Sequence, residues 1–491
     1  MRTHRALALS SVFAVFICGA VFQACGGGDT TIDGGGGEGG TPDDSGMNPD
    51  TQNPPFDSGD MDVQPADTGT PDTGPTCTNN PCVTAIAVGG HHACALIVDG
   101  TVRCWGMNFR GQLGAGGDGG AMFNTAARGV PVQVENVANA TQVSASTVYT
   151  TFGATCVRVA SGQVLCFGSN GSGQLGLNAE AGVIDQNPHP FASAVQGLPS
   201  ATSSSLANFH GCAVVGTDLW CWGDNGANSG GVGLLGRGTM PNTPQAPGKA
   251  TLLADAGVAV TQGSAGTDFT IVLGQNGTVY SWGANNGGQL GRVTMNGNGD
   301  PNPGPVGNVT NAVQVSAGEG HACAVTQGGQ LFCWGDNTYG QLGRSLTGGS
   351  SNNPAAVSLP NNKTVKQVSC SNNDTCAVAN DGTVYCWGRN LSGQIGWNAA
   401  DAAAFNQNIA NAPVQVQGLS GKALQVGTGG TNTANQNTST GYACALIEGG
   451  SVQCWGSNSD LQLGRGADAS IPNCPNNGGP CSPVPANVVW Q

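Results

Sequence analysis

Seven copies of one segment, with marker residues 52 to 68 apart, constrain this 491-residue chain more than any other feature. Gly90-His91-His92-Ala93-Cys94-Ala95-Leu96 returns as Gly320-His321-Ala322-Cys323-Ala324-Val325. Gly100-Thr101-Val102-Arg103-Cys104-Trp105-Gly106 returns as Gly382-Thr383-Val384-Tyr385-Cys386-Trp387-Gly388. A third piece follows each time, Asn108-Phe109-Arg110-Gly111-Gln112-Leu113-Gly114 or Asn337-Thr338-Tyr339-Gly340-Gln341-Leu342-Gly343. An aromatic residue before a glycine marks each copy, at Trp105, Phe167, Trp222, Trp282, Trp334, Trp387 and Trp455. A sustained period of this length belongs to arrays and propellers, in which each unit buries its apolar face against its neighbours.

The units read as strands. Val313-Gln314-Val315-Ser316 alternates with period 2, and residues 322–325 and 330–334 are short apolar runs joined by a glycine turn. Four short strands per unit make a propeller blade, and seven blades close a ring. The predicted fold is therefore an all-β, seven-bladed β-propeller over residues 77–491. Composition agrees: 82 glycines are too many for a helical protein and too few for collagen, and a 38% hydrophobic content suffices for a core.

The cysteines keep register with the repeat. Cys94 pairs with Cys104, Cys156 with Cys166, Cys212 with Cys221, Cys323 with Cys333, Cys376 with Cys386, and Cys444 with Cys454; five of the pairs are ten residues apart. Opposed positions at that spacing imply a three-residue hairpin loop whose last residue, Gly100, Gly162, Gly329, Gly382 or Gly450, takes left-handed φ. The third pair is nine apart, which predicts a two-residue type II′ turn at Gly216-Thr217. The remaining unit has Ile271 and Ser281 in these places. Directly opposed strand positions lie within disulfide reach. Zinc is the rival reading, since His92, His210 and His321 each stand two before a Cys. However, four units lack that His and no CxxC pair exists, so disulfides are the stronger reading. Cys77 with Cys82, and Cys474 with Cys481, read as staples at the two ends. Cys370 is left as a free thiol or an alternative partner for Cys376. The first unit begins at Val83 without a preceding Pro-Val-x-Val strand. The surplus strand at residues 482–489 is therefore expected to complete the first blade and remove its open edge.

The N-terminal segment has a different character. Arg2, His4 and Arg5 precede an apolar run over residues 6–22, the layout of a secretory signal. Its end, Phe22-Gln23-Ala24-Cys25, resembles the lipobox of bacterial lipoproteins and makes Cys25 the expected lipidation site; cleavage after Ala20 is the plain secretory alternative. Residues 26–76 carry eleven acids, no Lys or Arg, and almost no large apolar residue. Such a segment cannot bury enough surface to offset its ordering entropy and reads as a disordered tether. The expected domains are a signal peptide over 1–25, a linker over 26–76 and a propeller over 77–491. The expected location is the bacterial cell envelope, at the outer membrane or cell surface, held by a lipid anchor.

The unit Gly-x-x-His-x-Cys-Ala-Leu, Asp-Gly-x-Val-x-Cys-Trp-Gly and Asn-x-x-Gly-Gln-Leu-Gly resembles the regulator of chromosome condensation repeat. The resemblance covers residues 83–491 and implies a seven-bladed propeller. It implies less about function, because function resides in sites grafted on folds. The eukaryotic founder of that family is an exchange factor for a nuclear GTPase, a partner an exported chain does not meet. A secreted bacterial inhibitor of β-lactamase with the same architecture, binding through one propeller face, is the nearer analogue.

No catalytic motif stands out: there is no G-x-S-x-G elbow, no HExxH and no P-loop. No cofactor or metal is expected. Sparse basic charge argues against nucleic acid. The expectation is a monomeric, non-catalytic module that binds a protein or an envelope polymer. A secreted glycan lyase or hydrolase is the alternative, which convergent carboxylates in the central channel would favour. Variable loops over residues 115–130, 178–194, 226–250, 399–413, 428–441 and 465–483 are expected to gather on one face. Phe109, Tyr339 and Trp397 beside them are candidate binding residues, the alternative being that they pack between blades.

Overall fold

The computed structural model describes residues 77–116, 125–146, 153–177, 184–226, 232–238, 243–294, 297–345, 347–396, 408–431, 440–466, 471–474 and 479–490. Cys25, the tether over 26–76 and Trp397 lie outside them. No helix among the described residues is long and apolar enough to cross a membrane.

Seven four-stranded antiparallel sheets follow one another along the chain. Blade 1 consists of β1 (Val83–Val88), β2 (His92–Ile97), β3 (Val102–Gly106) and β4 (Arg128–Gln133), paired in that order. The other six blades repeat this plan, and the first strands of all seven line one axial cavity.

Six blades carry a disulfide between directly opposed residues of their second and third strands. Cys94 is bonded to Cys104 in blade 1, Cys156 to Cys166 in blade 2, and Cys212 to Cys221 in blade 3. Cys323 is bonded to Cys333 in blade 5, Cys376 to Cys386 in blade 6, and Cys444 to Cys454 in blade 7. The Cα atoms of these pairs are 4.0–4.1 Å apart, because a directly opposed antiparallel pair already holds the two chains at bonding distance. Cys77 is bonded to Cys82, and Cys474 to Cys481. Cys370 is free and buried, and Cys376 is committed to Cys386. In blade 3, Val215 pairs with Asp218 around Gly216 (φ +62°), a two-residue turn.

Two features differ from expectation. The C-terminal strand (Cys481–Asn487) pairs with the third strand of blade 7 (Ser451–Ser457), not with blade 1. The Pro-Val-x-Val strand is the outer strand of its own blade, so each blade is built from consecutive segments and the ring has no borrowed strand. The expected loops also contain these outer strands: Arg128–Gln133, Asp185–Ala194, Gln245–Lys249 and Ile409–Gln415 lie wholly or partly inside them. Their sequences are half-exposed and each carries at least one proline, which reads as loop, but an edge strand tolerates proline.

The blades lock through the repeat itself. The glycine after each marker aromatic has φ between +95° and +110°, and a Cβ on Gly106 would stand 2.5 Å from the His91 carbonyl. The six Trp markers are fully buried. Each indole N–H donates to a carbonyl in the preceding blade's Gly-Gln-Leu-Gly turn or the variant of it found there: Trp105 to Gln462 (2.9 Å), Trp222 to Gln174 (2.8 Å), Trp334 to Gln289 (2.9 Å). The marker of blade 2 is Phe167, which has no such donor; there the Thr155 hydroxyl takes the Gln112 carbonyl at 2.9 Å. The turns are held from within, since the Asn that opens each one accepts the N–H of its Leu or Ile, as Asn108 does from Leu113 at 3.1 Å.

Candidate binding face and axial channel

Strand direction alternates within each blade. The first-to-second and third-to-fourth connections therefore leave from one face, and the hairpins and inter-blade links from the other. The third-to-fourth connections run 13 to 23 residues, the inter-blade links only 6 to 10. The insertions thus gather on one face. The chain enters on the opposite face, where the N–H groups of Thr78 and Asn79 donate to the Gly449 carbonyl (3.2 Å each) and that of Val83 to Gly450 (3.1 Å).

The axial cavity, of about 180 Å³, is walled by the edges of the first strands, whose outward N–H and C=O groups lack a strand partner. Glutamines take that role. The Gln314 amide accepts from Val368 N–H (2.9 Å) and donates to Val368 O (2.9 Å), spanning blades 5 and 6. Gln142 does the same to Ser204, Gln262 to Val315, Gln367 to Val426 and Gln425 to Ile86. The last of these closes the ring between blades 7 and 1, together with Tyr442 Oη–H to the His92 carbonyl (2.6 Å) and His91 Nδ1 beside Asp460 Oδ2 (2.8 Å). A second tier of serines, Ser205, Ser264, Ser316 and Ser369, accepts an N–H from the next blade. Ala85 and Ser203 stand where the two missing glutamines would be, so Val143 and Gly263 have no such cap among the described residues. The blade 1–2 junction lacks both tiers, having Ala85 and Ala87.

The histidines two before a cysteine serve the junctions. His92, His210 and His321 are fully buried and bond Thr155, Thr270 and Thr375 of the next blade at 2.8–2.9 Å. Burial pushes His92 down to about 3 and the other two to about 4, so all three are neutral. Among the described residues no three His, Cys, Asp or Glu side chains gather as a metal site.

On the insertion face Phe109 is 54% exposed, its ring 5.4 Å from the Arg110 guanidinium. Tyr339 is half-buried under Arg389 of the next blade (4.5 Å), so it bridges blades 5 and 6 as well as facing outward. The two are not brought together with one another. The repeat analysis missed what surrounds Arg389. Asp374 stands in the register position of His92, His210 and His321, a departure visible when the copies are aligned. It is buried, which pushes its carboxyl up to about 7; bonds from Ser371, Thr428 and Gln394 and the Arg389 charge oppose this. Arg389 also interacts electrostatically with Glu319. Asp336 accepts from Gln341 Nε2 (2.8 Å), which also lies 3.5 Å from Asn373. Cys370, in the channel wall, is pushed up to about 12 by burial, which leaves it a poor nucleophile.

Comparison with known proteins places this geometry. The profile of the RCC1-like domain matches residues 152–478, and the regulator of chromosome condensation repeat matches 83–112 and 99–152. The human E3 ubiquitin-protein ligase HERC2 is 28% identical over 277 residues, 55% of this chain but only 5% of its own length. The ultraviolet-B receptor UVR8 of Arabidopsis thaliana is 26% identical over 79% of this chain and 82% of its own. Among solved structures, Prp20p of Saccharomyces cerevisiae superimposes with a TM-score of 0.65 at 19% identity, covering 81% of this chain and 87% of that one. Human WBSCR16 does so with a TM-score of 0.60 at 20% identity, covering 79% and 94%. At these identities the structures speak to the fold alone.

Proposed function

We propose, on the premise that this chain belongs to the family of RCC1-like domains, that it is an exported, non-catalytic binding platform. In this reading Cys25 carries a lipid anchor, residues 26–76 are the tether, and the insertion face is presented to a protein or polymer of the cell envelope. The carrying observation is the separation of the faces: the chain enters among short hairpins, and every long third-to-fourth connection leaves from the other side. Attachment on the hairpin face keeps the point of entry off the insertion face. The disulfides suit an oxidising compartment. The relatives' activities, ubiquitin ligation and ultraviolet-B reception among them, do not follow for this chain, because a shared propeller hosts unrelated sites. The glycan-active alternative is weaker: the described channel wall is built of Gln, Ser, Thr, Cys, Gly and apolar residues and bears no carboxylate.

The test exchanges segments without touching the blades. Removing all of 226–250 would take the buried Leu234 and Leu235 and an outer strand with it, so the exchange is confined to 117–124 and 397–407. Both become Gly/Ser segments of equal length in the full chain. The parent chain is expected to retain a defined component from solubilised envelope that the exchanged chain loses, at unchanged Tm. Equal retention by both, or by neither, overturns the reading.

A further inference from the structure

We propose that the axial channel is a binding site for a primary carboxamide, held at Gly263 of blade 4 beside Ser203 of blade 3. The inference does not depend on the insertion-face reading. The chain itself displays the chemistry. The channel glutamines each set an amide oxygen and an amide N–H against the N–H and C=O of one residue in the next blade, at 2.9–3.2 Å. A primary carboxamide carries acceptor and donor side by side, the complement of what one residue on a strand edge offers. Gly263 turns the same N–H and C=O to the channel, and Ser203 stands where a glutamine would reach across to it.

A second observation singles out this position. Ser203 is 5% exposed and lines the channel, yet its hydroxyl has no hydrogen-bond partner among the described residues. A buried hydroxyl is seldom left so. A serine ends where the second methylene of a glutamine would lie, which leaves room for an amide group between Ser203 and Gly263. The ligand's oxygen would accept the Gly263 N–H, one N–H would donate to the Gly263 carbonyl, and the other to Ser203 Oγ. The edge is bare for one residue only, since the next outward amide, Ala265 N–H, donates to Ser205 Oγ (3.1 Å). A single amide fits there, whereas a partner's strand needs successive free groups. No charged side chain lines the channel, so an ionic ligand would lose its water without gaining a counter-charge. The cavity of about 180 Å³ is roughly ten times what one water needs. Val143 has the same bare pair, but Ala85 beside it supplies no hydroxyl, so Gly263 is the fuller site.

The test is amide NMR on the full chain labelled at glycine, disulfides intact, the Gly263 signal being the one lost in Gly263→Ala. Propionamide, propionate, and a glycine-flanked glutamine peptide with its glutamate counterpart are titrated in turn. Propionamide is expected to shift Gly263 saturably, and propionate is not. Ser203→Gln, which fills the site from within, is expected to abolish the shift. Ser203→Ala is expected to weaken binding several-fold, and Ala85→Gln, at the other bare pair, to leave it unchanged. A saturable shift from the glutamine peptide as well identifies a partner's side chain as a source; a shift from propionamide alone identifies a small amide. No saturable shift from propionamide, an equal one from propionate, or one that survives Ser203→Gln overturns the proposal, water alone then solvating the bare pair.

Discussion

Removing one glutamine of the axial ring tests how the blades are held. Gln314→Ala deletes two hydrogen bonds of 2.9 Å to Val368 and exposes that residue's N–H and C=O to the channel. Each bond is worth roughly 0.5–1.5 kcal/mol net, and channel water recovers part of the loss, so about 2 kcal/mol of local stability should go. Amide exchange at Val368 reads this directly, and about 2 kcal/mol corresponds to roughly 30-fold faster exchange. The structure supplies an internal control. Of the seven equivalent wall amides, Ile86, Ser204, Val315, Val368 and Val426 are capped, whereas Val143 and Gly263 have no cap among the described residues. The uncapped pair should exchange fastest in the parent chain, and Ala85→Gln should slow Val143. If Gln314→Ala leaves Val368 unchanged and the seven amides exchange alike, the clamp does not hold the ring.

Three further outcomes are expected. Between pH 6.5 and about 4 the unfolded chain protonates His92, His210 and His321 while the folded chain does not, so stability falls as pH falls through that window. Asp374 runs the other way, holding in the folded state a proton lost on unfolding between 3.8 and about 7. Three against one leaves a slope of about 2.7 kcal/mol per pH unit near pH 5, and Asp374→Asn should steepen it; thermal melts across the window showing no slope would refute this. Ile271→Cys with Ser281→Cys, an opposed pair, should form the missing disulfide and raise stability by about 1–2 kcal/mol after loss of the Ser281–Leu290 hydrogen bond, checked by mass and Tm without reductant. Cys25→Ser should abolish labelling by a lipid precursor and shift the chain to the soluble fraction; unchanged membrane association would refute anchoring at Cys25.

What the residues disclosed depended on how far apart the interacting partners lie. The register of Cys94 against Cys104, the Gly216 turn and the marker aromatics are local or repeated, and period and spacing sufficed to place them. The expected closure fails because the Pro-Val-x-Val segment ends its own unit instead of opening the next, so Cys481–Asn487 pairs with Ser451–Ser457 of blade 7 and leaves no strand over for blade 1. The outer strands were mistaken for loop because Asp185–Ala194 carries two prolines and alternates nothing apolar. Phe109 was legible as an exposed aromatic, whereas the role of Tyr339 emerged only when Arg389, fifty residues on, folded over it. Asp374 was hidden by the repeat, since it stands out only through its departure from the histidine that three other copies carry there.

The separation of the two faces is tested most directly with a matched pair of exposed positions. Phe109, 54% exposed, lies on the insertion face, and Val98, 62% exposed, on the hairpin face. A photo-cross-linking amino acid is placed at each in turn in the full chain, which is irradiated in its native host. A discrete adduct from position 109 and none from position 98 is the predicted result; an adduct from position 98 alone, or from neither, would contradict the account.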